Sequence, residues 1–370
     1  MFPEIKKNFG FGCMRLPTNK FKMIDYKELD KMVDAFIGAG FNYFDTAHGY
    51  MLMRSERAVK KCLTSRYKRE EYVLTNKLSW GFFKKQEDIR PFFNRQLRAC
   101  GVDYFDFYLM HAQDRKLFEK FKACKAYETA FELKAEGKIK HVGLSFHDKA
   151  EILEQILIEY PQIEVVQIQL NYVDYDDPSV EGKKCYDVCR KYNKPVIVME
   201  PVKGGSLVKL PEEAKKVFDS LGGGSYASYA IRYASSFEGV IMVLSGMGNM
   251  DMMNDNVSFM KDFQPLNSKE MAAIDKVCDI LAMQNLIPCT ACEYCTEKCP
   301  KNIPIPQYFA CLNDKKAHRD WNSSYYYEIH TNHAPKASEC ISCGICEKAC
   351  PQHLEIRKLL REVVATFETE

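Results

Sequence analysis

The 370-residue sequence predicts an α/β protein: a (β/α)8 TIM barrel followed by a small, mainly helical domain. Three observations carry that expectation. Apolar runs of strand length alternate with helical stripes through the first two thirds of the chain. Several of those runs stop on a polar or ionisable residue, and two cysteine runs of identical spacing lie beyond residue 288. Strand–helix alternation calls for a parallel sheet, and eight such units suit a closed barrel of about 250 residues.

Residues 9–16, Phe-Gly-Phe-Gly-Cys-Met-Arg-Leu, read as the first strand, with glycines where the backbone comes close to a neighbour. From Tyr26 onward, Leu29, Met32, Val33, Phe36 and Ile37 recur at helical spacing until the glycines at 38 and 40 stop the helix. The strand at 42–46 follows, then a helix near 54–65, a strand at 72–77, a helix near 86–100 and a strand at 105–110. A helix around 118–136 ends at Gly137, and 139–145 is the next strand. Ile152, Leu153, Ile156 and Leu157 mark the helix after it. Strands at 164–169 and 195–199 are followed by helical patterns near 179–192 and 225–236, and 240–244 is the last strand. A further helix from Pro265 to about Leu286 carries Met271, Ile274, Cys278 and Leu281 on one face. The expected division is a barrel over 1–263, a bridging helix over 264–288 and a cysteine-rich domain over 289–370. An open doubly wound sheet would show Gly-x-Gly-x-x-Gly after the first strand, and Gly10-Phe-Gly12 lacks the third glycine.

Hydrophobic residues make up 46% of the chain, ample for a core, and the net charge of +2 comes from interspersed charges of both signs. No nucleic acid and no anionic membrane surface is expected as a partner. The N-terminus lacks an apolar leader, and no run approaches about eighteen apolar residues, so a cytoplasmic protein without a membrane span is expected. Eight of the 16 cysteines form the two clusters. The others (Cys13, Cys62, Cys100, Cys124, Cys185, Cys189, Cys278 and Cys311) sit in apolar or helical surroundings and read as small buried hydrophobes.

In a barrel the functional rim lies at the C-terminal ends of the strands, where Asp45, Lys77, His111, Ser145 and Gln167 fall, with Tyr50 just beyond Asp45. Carbonyl reduction needs a proton donor beside a developing alkoxide. A phenol becomes a usable acid when a neighbouring ammonium stabilises its anion and a carboxylate holds that ammonium. An imidazole can orient the substrate oxygen. Asp45, Tyr50, Lys77 and His111 supply those four parts. Taken singly they have ordinary readings as a strand-end cap, a core aromatic, a surface lysine and a satisfied histidine.

Cys289-x2-Cys292-x2-Cys295-x3-Cys299-Pro300 is repeated as Cys340-x2-Cys343-x2-Cys346-x3-Cys350-Pro351. This is the bacterial ferredoxin run, in which the fourth cysteine ligates the other cluster. It assigns Cys289, Cys292, Cys295 and Cys350 to one [4Fe–4S] cluster and Cys340, Cys343, Cys346 and Cys299 to a second. Structural zinc sites, the competing reading, use paired cysteines instead.

Phe44-Asp-Thr-Ala-His-Gly-Tyr50 with Ser55-Glu56 resembles the signature of the aldo-keto reductase family. Thr75-Asn-Lys77, Tyr108-Leu-Met-His111 and Val142-Gly-Leu-Ser145 resemble its lysine strand, histidine strand and Gly-Val-Ser turn. The resemblance implies a (β/α)8 reductase using NAD(P)H with Tyr50 as general acid. It further implies Ser145 and Gln167 on the nicotinamide carboxamide, Gly204, Gly205 and Ser206 beside the pyrophosphate, and Ser245, Gly246, Asp255 and Asn256 toward the adenine. Phe146 replaces the family's asparagine, Met199 falls where its stacking aromatic stands, and Met252 falls near its 2′-phosphate anchor. A flavin is therefore the alternative occupant of the mouth.

The expectation is an oxidoreductase that couples hydride chemistry on a small-molecule carbonyl to one-electron transfer, with a redox partner protein as source or sink. Two alternatives stand beside it: an electron-transfer or redox-sensing protein whose barrel binds a nicotinamide or flavin without carbonyl reduction, and a reductase whose clusters are only structural.

Overall fold

The computed structural model describes residues 2–177, 180–282, 286–287, 289, 291–318 and 322–369. Short runs rich in β-branched and aromatic residues become β1 (Phe9–Gly12), β2 (Tyr43–Asp45), β3 (Val73–Leu78), β4 (Phe105–Gln113), β5 (Ile139–Phe146), β6 (Val165–Gln169), β7 (Val196–Met199) and β8 (Val240–Ser245). They pair in chain order, all parallel, and β8 returns to β1, closing the barrel. Its interior is filled by one apolar cluster that includes Tyr43, Val73, Phe107, Leu109, Val165 and Ile197. Two glycines make room for it. A Cβ on Gly10 would stand 2.7 Å from Leu244 Cδ2, and one on Gly143 2.5 Å from Val165 Cγ1.

The helices pack outside as the stripes predict; Gln86–Cys100 buries Ile89, Phe92, Phe93 and Leu97. Three stretches depart from the sequence reading. The helix expected at 118–136 is two, Arg115–Ala123 and Ala126–Ala135, with Lys125 between them in the left-handed region at φ 50°. The helix expected near 54–65 is there, as Ser55–Val59 continued by the π-helical Lys60–Thr64; Met51, Leu52 and Met53 before it are left-handed at φ 53°, 55° and 64°. The helices Glu212–Asp219 and Met250–Met260 were not anticipated.

The helix Ser268–Ala282 buries Ala273, Ile274, Val277 and Leu281 in the barrel's own core. Beyond it the chain is helical, with Ile305–His318, Asn322–Thr331 and Ile356–Phe367 as its longer elements around a separate core of Ile305, Tyr308, Phe309, Leu312 and Leu360. Of the scattered cysteines all but Cys278 are buried, and none is in a disulfide. Among the described residues no helix is long and apolar enough to cross a membrane.

The C-terminal domain is fixed to the barrel by a buried ion cluster. Lys203 Nζ lies 2.5 Å from Asp174 Oδ1 and 2.7 Å from Asp314 Oδ1 of the helix Ile305–His318. Burial pushes the Asp314 carboxyl up to about 7, against the pull of Lys203. Gln169 and Asn171 donate to the other oxygen of Asp174. The Tyr326 phenol donates to Gln169 Oε1 at 2.9 Å.

Removing one partner from a buried pair leaves a charge without compensation. Lys203→Met, which leaves two carboxylates facing each other, is expected to lower unfolding stability by about 3–5 kcal/mol in urea titrations. Adding Asp314→Asn should recover part of the loss. An unchanged urea midpoint for Lys203→Met would show that this cluster does not hold the two domains together.

Candidate active site

β2, β3 and β4 end side by side, which brings together side chains far apart in the sequence. The strands register Asp45 opposite Thr75 and Lys77 opposite Leu109. Lys77 Nζ donates to Asp45 Oδ1 at 2.5 Å and to the Thr46 carbonyl at 3.0 Å, with the lysine 1% exposed. The same ammonium lies 4.9 Å from the centre of the Tyr50 ring. The Tyr50 and His111 rings meet edge to face at 6.0 Å and 75°. All four sequence candidates therefore share one rim.

The loop that carries Tyr50 is anchored from below. Ser55 Oγ donates to the Cys13 carbonyl at 2.9 Å and bonds Thr46 Oγ1 at 2.8 Å. Glu56 Oε2 bonds His48 Nδ1 at 2.7 Å, and Glu56 Oε1 accepts from Asn76 and Gln96. Ser55 and Glu56 thus hold the β2 loop against β3.

Burial and charge set the protonation of the rim. Burial pushes the Tyr50 phenol up by more than the Lys77 charge pulls it down, so it keeps its proton. Lys77 is raised: burial works against its charge, and Asp45 and Tyr50 outweigh burial. Burial, then Lys77 and His147, hold His111 well below the usual imidazole range, so it is neutral. Ser79 Oγ lies 2.7 Å from His111 Nδ1, which leaves Nε2 as the ring's other polar atom.

Around this rim the predicted cofactor contacts are unevenly disposed. Gln167 Oε1 is buried without a partner, an acceptor suited to an amide N–H of a carboxamide. Ser145 Oγ accepts from the Ala112 N–H at 2.7 Å. Gly204 and Gly205 are left-handed at φ 65° and 97°, as a tight glycine turn requires, yet their N–H groups are engaged. Gly204 N–H donates to Glu200 Oε2 at 2.5 Å and Gly205 N–H to the Val202 carbonyl at 2.9 Å. The Ser206 hydroxyl donates to the Lys203 carbonyl, Asn256 donates to Ser245 Oγ at 2.8 Å, and Asp255 accepts from Ser225. Gly246 follows at the end of β8 against Arg15. Of these contacts Gln167 Oε1 is left without a partner, while Glu200 holds the first glycine N–H of the turn.

In the C-terminal domain, Cys289, Cys292, Cys295 and Cys350 line one pocket with Ile305, Phe309 and Ile356. Cys299, Cys340, Cys343 and Cys346 line a second with Ile303, Ile305 and Leu360. This is the crossed grouping that the ferredoxin run implies. Four thiols in an apolar pocket are a donor set that fits an iron–sulfur cluster.

Four residues at the rim escaped the sequence reading. Glu200 pairs with Arg15 at 3.4 Å. His147, which follows Phe146 at the end of β5, has a buried Nδ1 without a partner. Tyr325 meets the His147 ring at 5.2 Å and 89°, and Tyr326 lies 6.3 Å from it. The last two come from the helix Asn322–Thr331, so the second domain forms part of the barrel mouth. The tyrosine triplet at 325–327 is the one sequence signal that marks this helix.

Comparisons with known proteins agree with this geometry. The pattern of the aldo/keto reductase family matches residues 8–279, and that of a 4Fe-4S dicluster domain matches residues 288–355. Aldo-keto reductase family 1 member C3 of Pongo abelii is 25% identical over 308 residues, covering 72% of this chain and 86% of that protein. The aldo-keto reductase AKR11C1 of Bacillus halodurans, in its holo form, superposes with a TM-score of 0.59 at 25% identity, covering 73% of this chain and 91% of that one. An aldo-keto reductase from Klebsiella pneumoniae, solved in complex with NADPH, shares the fold with a TM-score of 0.59 at 20% identity, over 73% and 90% of the two chains. The chain belongs to the aldo/keto reductase family and carries a 4Fe-4S dicluster domain behind its barrel.

Proposed function

We propose that the protein reduces a small carbonyl compound at the Tyr50 rim and that its C-terminal domain passes single electrons to or from a redox partner protein. The observation that carries this reading is the placement of Lys77 between Asp45 and Tyr50, with His111 facing the phenol. When bound, a nicotinamide supplies a hydride and [4Fe–4S] clusters exchange electrons singly. Everything else falls to side chains of this chain.

Tyr50 holds the proton that the developing alkoxide takes. As the proton leaves, the fixed Lys77 charge stabilises the phenolate in a site from which water is largely excluded. Asp45 keeps Lys77 charged and in place. In this role His111, neutral, takes the tautomer with its proton on Nε2, toward the substrate oxygen, so that Nδ1, 2.7 Å from Ser79 Oγ, accepts from that hydroxyl. Gln167 and Ser145 would hold a nicotinamide carboxamide. Glu200 would have to leave the Gly204 N–H before a pyrophosphate could take it. The two thiol-lined pockets would hold the clusters through Cys289, Cys292, Cys295 and Cys350 and through Cys299, Cys340, Cys343 and Cys346.

A second reading, an electron-transfer or redox-sensing protein with no carbonyl reduction, draws support from Glu200, whose carboxylate stands where a phosphate would be held. Tyr50→Phe separates the two. Assayed anaerobically against a carbonyl panel, it should lose about 10²- to 10⁴-fold in kcat with its cluster spectrum intact. Activity equal to wild type would exclude the Tyr50 mechanism.

Cys350→Ala should remove one cluster and leave the other, taking iron from about eight to about four atoms per chain. Cys292→Ala should remove the same cluster as Cys350→Ala and leave the same surviving signal in electron paramagnetic resonance of the reduced variants. Different surviving signals in the two would refute the crossed ligand sets.

The fold holds His111 neutral and His147 down at about 4, the latter by burial and then by Lys77. Below the ordinary histidine value of about 6.5 the unfolded chain takes up protons that the folded chain refuses, so stability should fall as pH drops below that value. His147→Gln should flatten part of this slope in urea titrations between pH 7 and 4, and an unchanged slope would show that the imidazole titrates freely in the fold.

A further inference from the structure

The proposed chemistry leaves one imidazole at the rim without a task. His147 is anchored through its backbone, whose N–H donates to the Gln113 carbonyl at 2.9 Å, while its Nδ1 is buried and unpartnered. A buried polar atom without a partner is destabilising unless a ligand or water satisfies it. Gln167 Oε1 on β6, the strand beside β5, and Asp45 Oδ2 at the end of β2 are in the same condition. Tyr325 stands edge on to the His147 ring at 5.2 Å, and its phenol is pushed up by burial first, with Tyr50 among the smaller causes. Tyr326, pinned to Gln169, backs this wall.

The charge of the rim restricts what such a wall can receive. Among the described residues its basic groups are matched: Lys77 by Asp45, Lys203 by Asp174 and Asp314, and Arg15 by Glu200. Glu200 also brings a carboxylate to the mouth. Apart from the second oxygen of Asp45, the groups left over are neutral hydrogen-bonding groups: two imidazoles, a phenol and an amide. A carboxylate or phosphate substrate would find no uncompensated cation there, whereas hydroxyl groups can both donate to and accept from neutral imidazole and amide atoms.

We propose that His147 and Tyr325 form a second substrate-contacting wall, the imidazole hydrogen-bonding a hydroxyl of an uncharged hydroxyketone or hydroxyaldehyde while Tyr325 packs on its carbon skeleton. The assignment rests on reading the Tyr50 rim as the carbonyl site. It makes the substrate site a product of both domains, with specificity written partly in the helix Asn322–Thr331.

The test separates binding from turnover by using full-length, cluster-loaded Tyr50→Phe protein under anaerobic conditions, with dihydroxyacetone, butanone and pyruvate as probes in ligand-observed NMR titrations. Dihydroxyacetone should bind at least about tenfold tighter than butanone or pyruvate, as one satisfied buried hydrogen bond allows. His147→Ala should abolish that preference with butanone binding unchanged, and His147→Gln should restore most of it. Tyr325→Ala should weaken dihydroxyacetone and butanone alike. Pyruvate binding tightest, or a preference for dihydroxyacetone that survives His147→Ala, would overturn the proposal. So would a His147→Ala loss shared equally by all three probes, the mark of a merely structural role. Failure of the Tyr50 reading would appear elsewhere, as carbonyl turnover that Tyr50→Phe leaves intact.

Discussion

A buried ammonium is the constraint on which the barrel mouth turns. Lys77 is almost completely buried, and taking an ammonium out of water costs several kcal/mol unless a carboxylate and further acceptors replace the lost hydration. Asp45 and the Thr46 carbonyl do so, and both are on the neighbouring strand and its loop. The pairing of β2 with β3 is therefore specified by charge as well as by the apolar lumen. A one-residue slip would turn Lys77 to the opposite face of the sheet and leave Asp45 buried alone. Fold and chemistry here rest on the same contact.

The second such constraint joins the domains. Lys203 sits at the start of the glycine turn after β7 and binds one carboxylate from the barrel and one from the cysteine-rich domain. That contact, with Tyr326 on Gln169, sets the helix Asn322–Thr331 against the barrel mouth. The proposed hydride site at the strand ends and the two thiol-lined pockets are thereby held in one molecule. Glu200, at the same turn, ties the charge of this junction to the glycine N–H groups that a dinucleotide would use.

Much of this was legible in the sequence, because the deciding signals were local. All eight strands lie where the apolar runs fall, and the four rim residues were found because each stands at or beside a strand end. The crossed cysteine grouping is what the resemblance to the ferredoxin run implies, and the two pockets sort the cysteines the same way. What stayed hidden depends on contacts that leave no local trace. Lys125 breaks a continuous helical stripe with a single left-handed residue. Lys203 stands beside two glycines, and nothing next to it in the sequence points to the carboxylates of Asp174 and Asp314 that it binds. His147 and Tyr325 meet only because two domains dock, and nothing in the residues next to either announces the other. The helix Met250–Met260 carries a methionine-rich, weakly amphipathic face whose period is hard to tell from a loop.

The account's central claim is that the barrel mouth carries out hydride chemistry and that the cysteine-rich domain serves it rather than replaces it. The most direct measurement is the fate of deuterium during carbonyl reduction with a reduced nicotinamide deuterated at the transferable position, followed by mass spectrometry of the product alcohol. The account predicts one deuterium on the former carbonyl carbon and a primary isotope effect on the rate. Product formed without deuterium, at a rate insensitive to the label, would mean that the reducing electrons reach the substrate by another route and would contradict it.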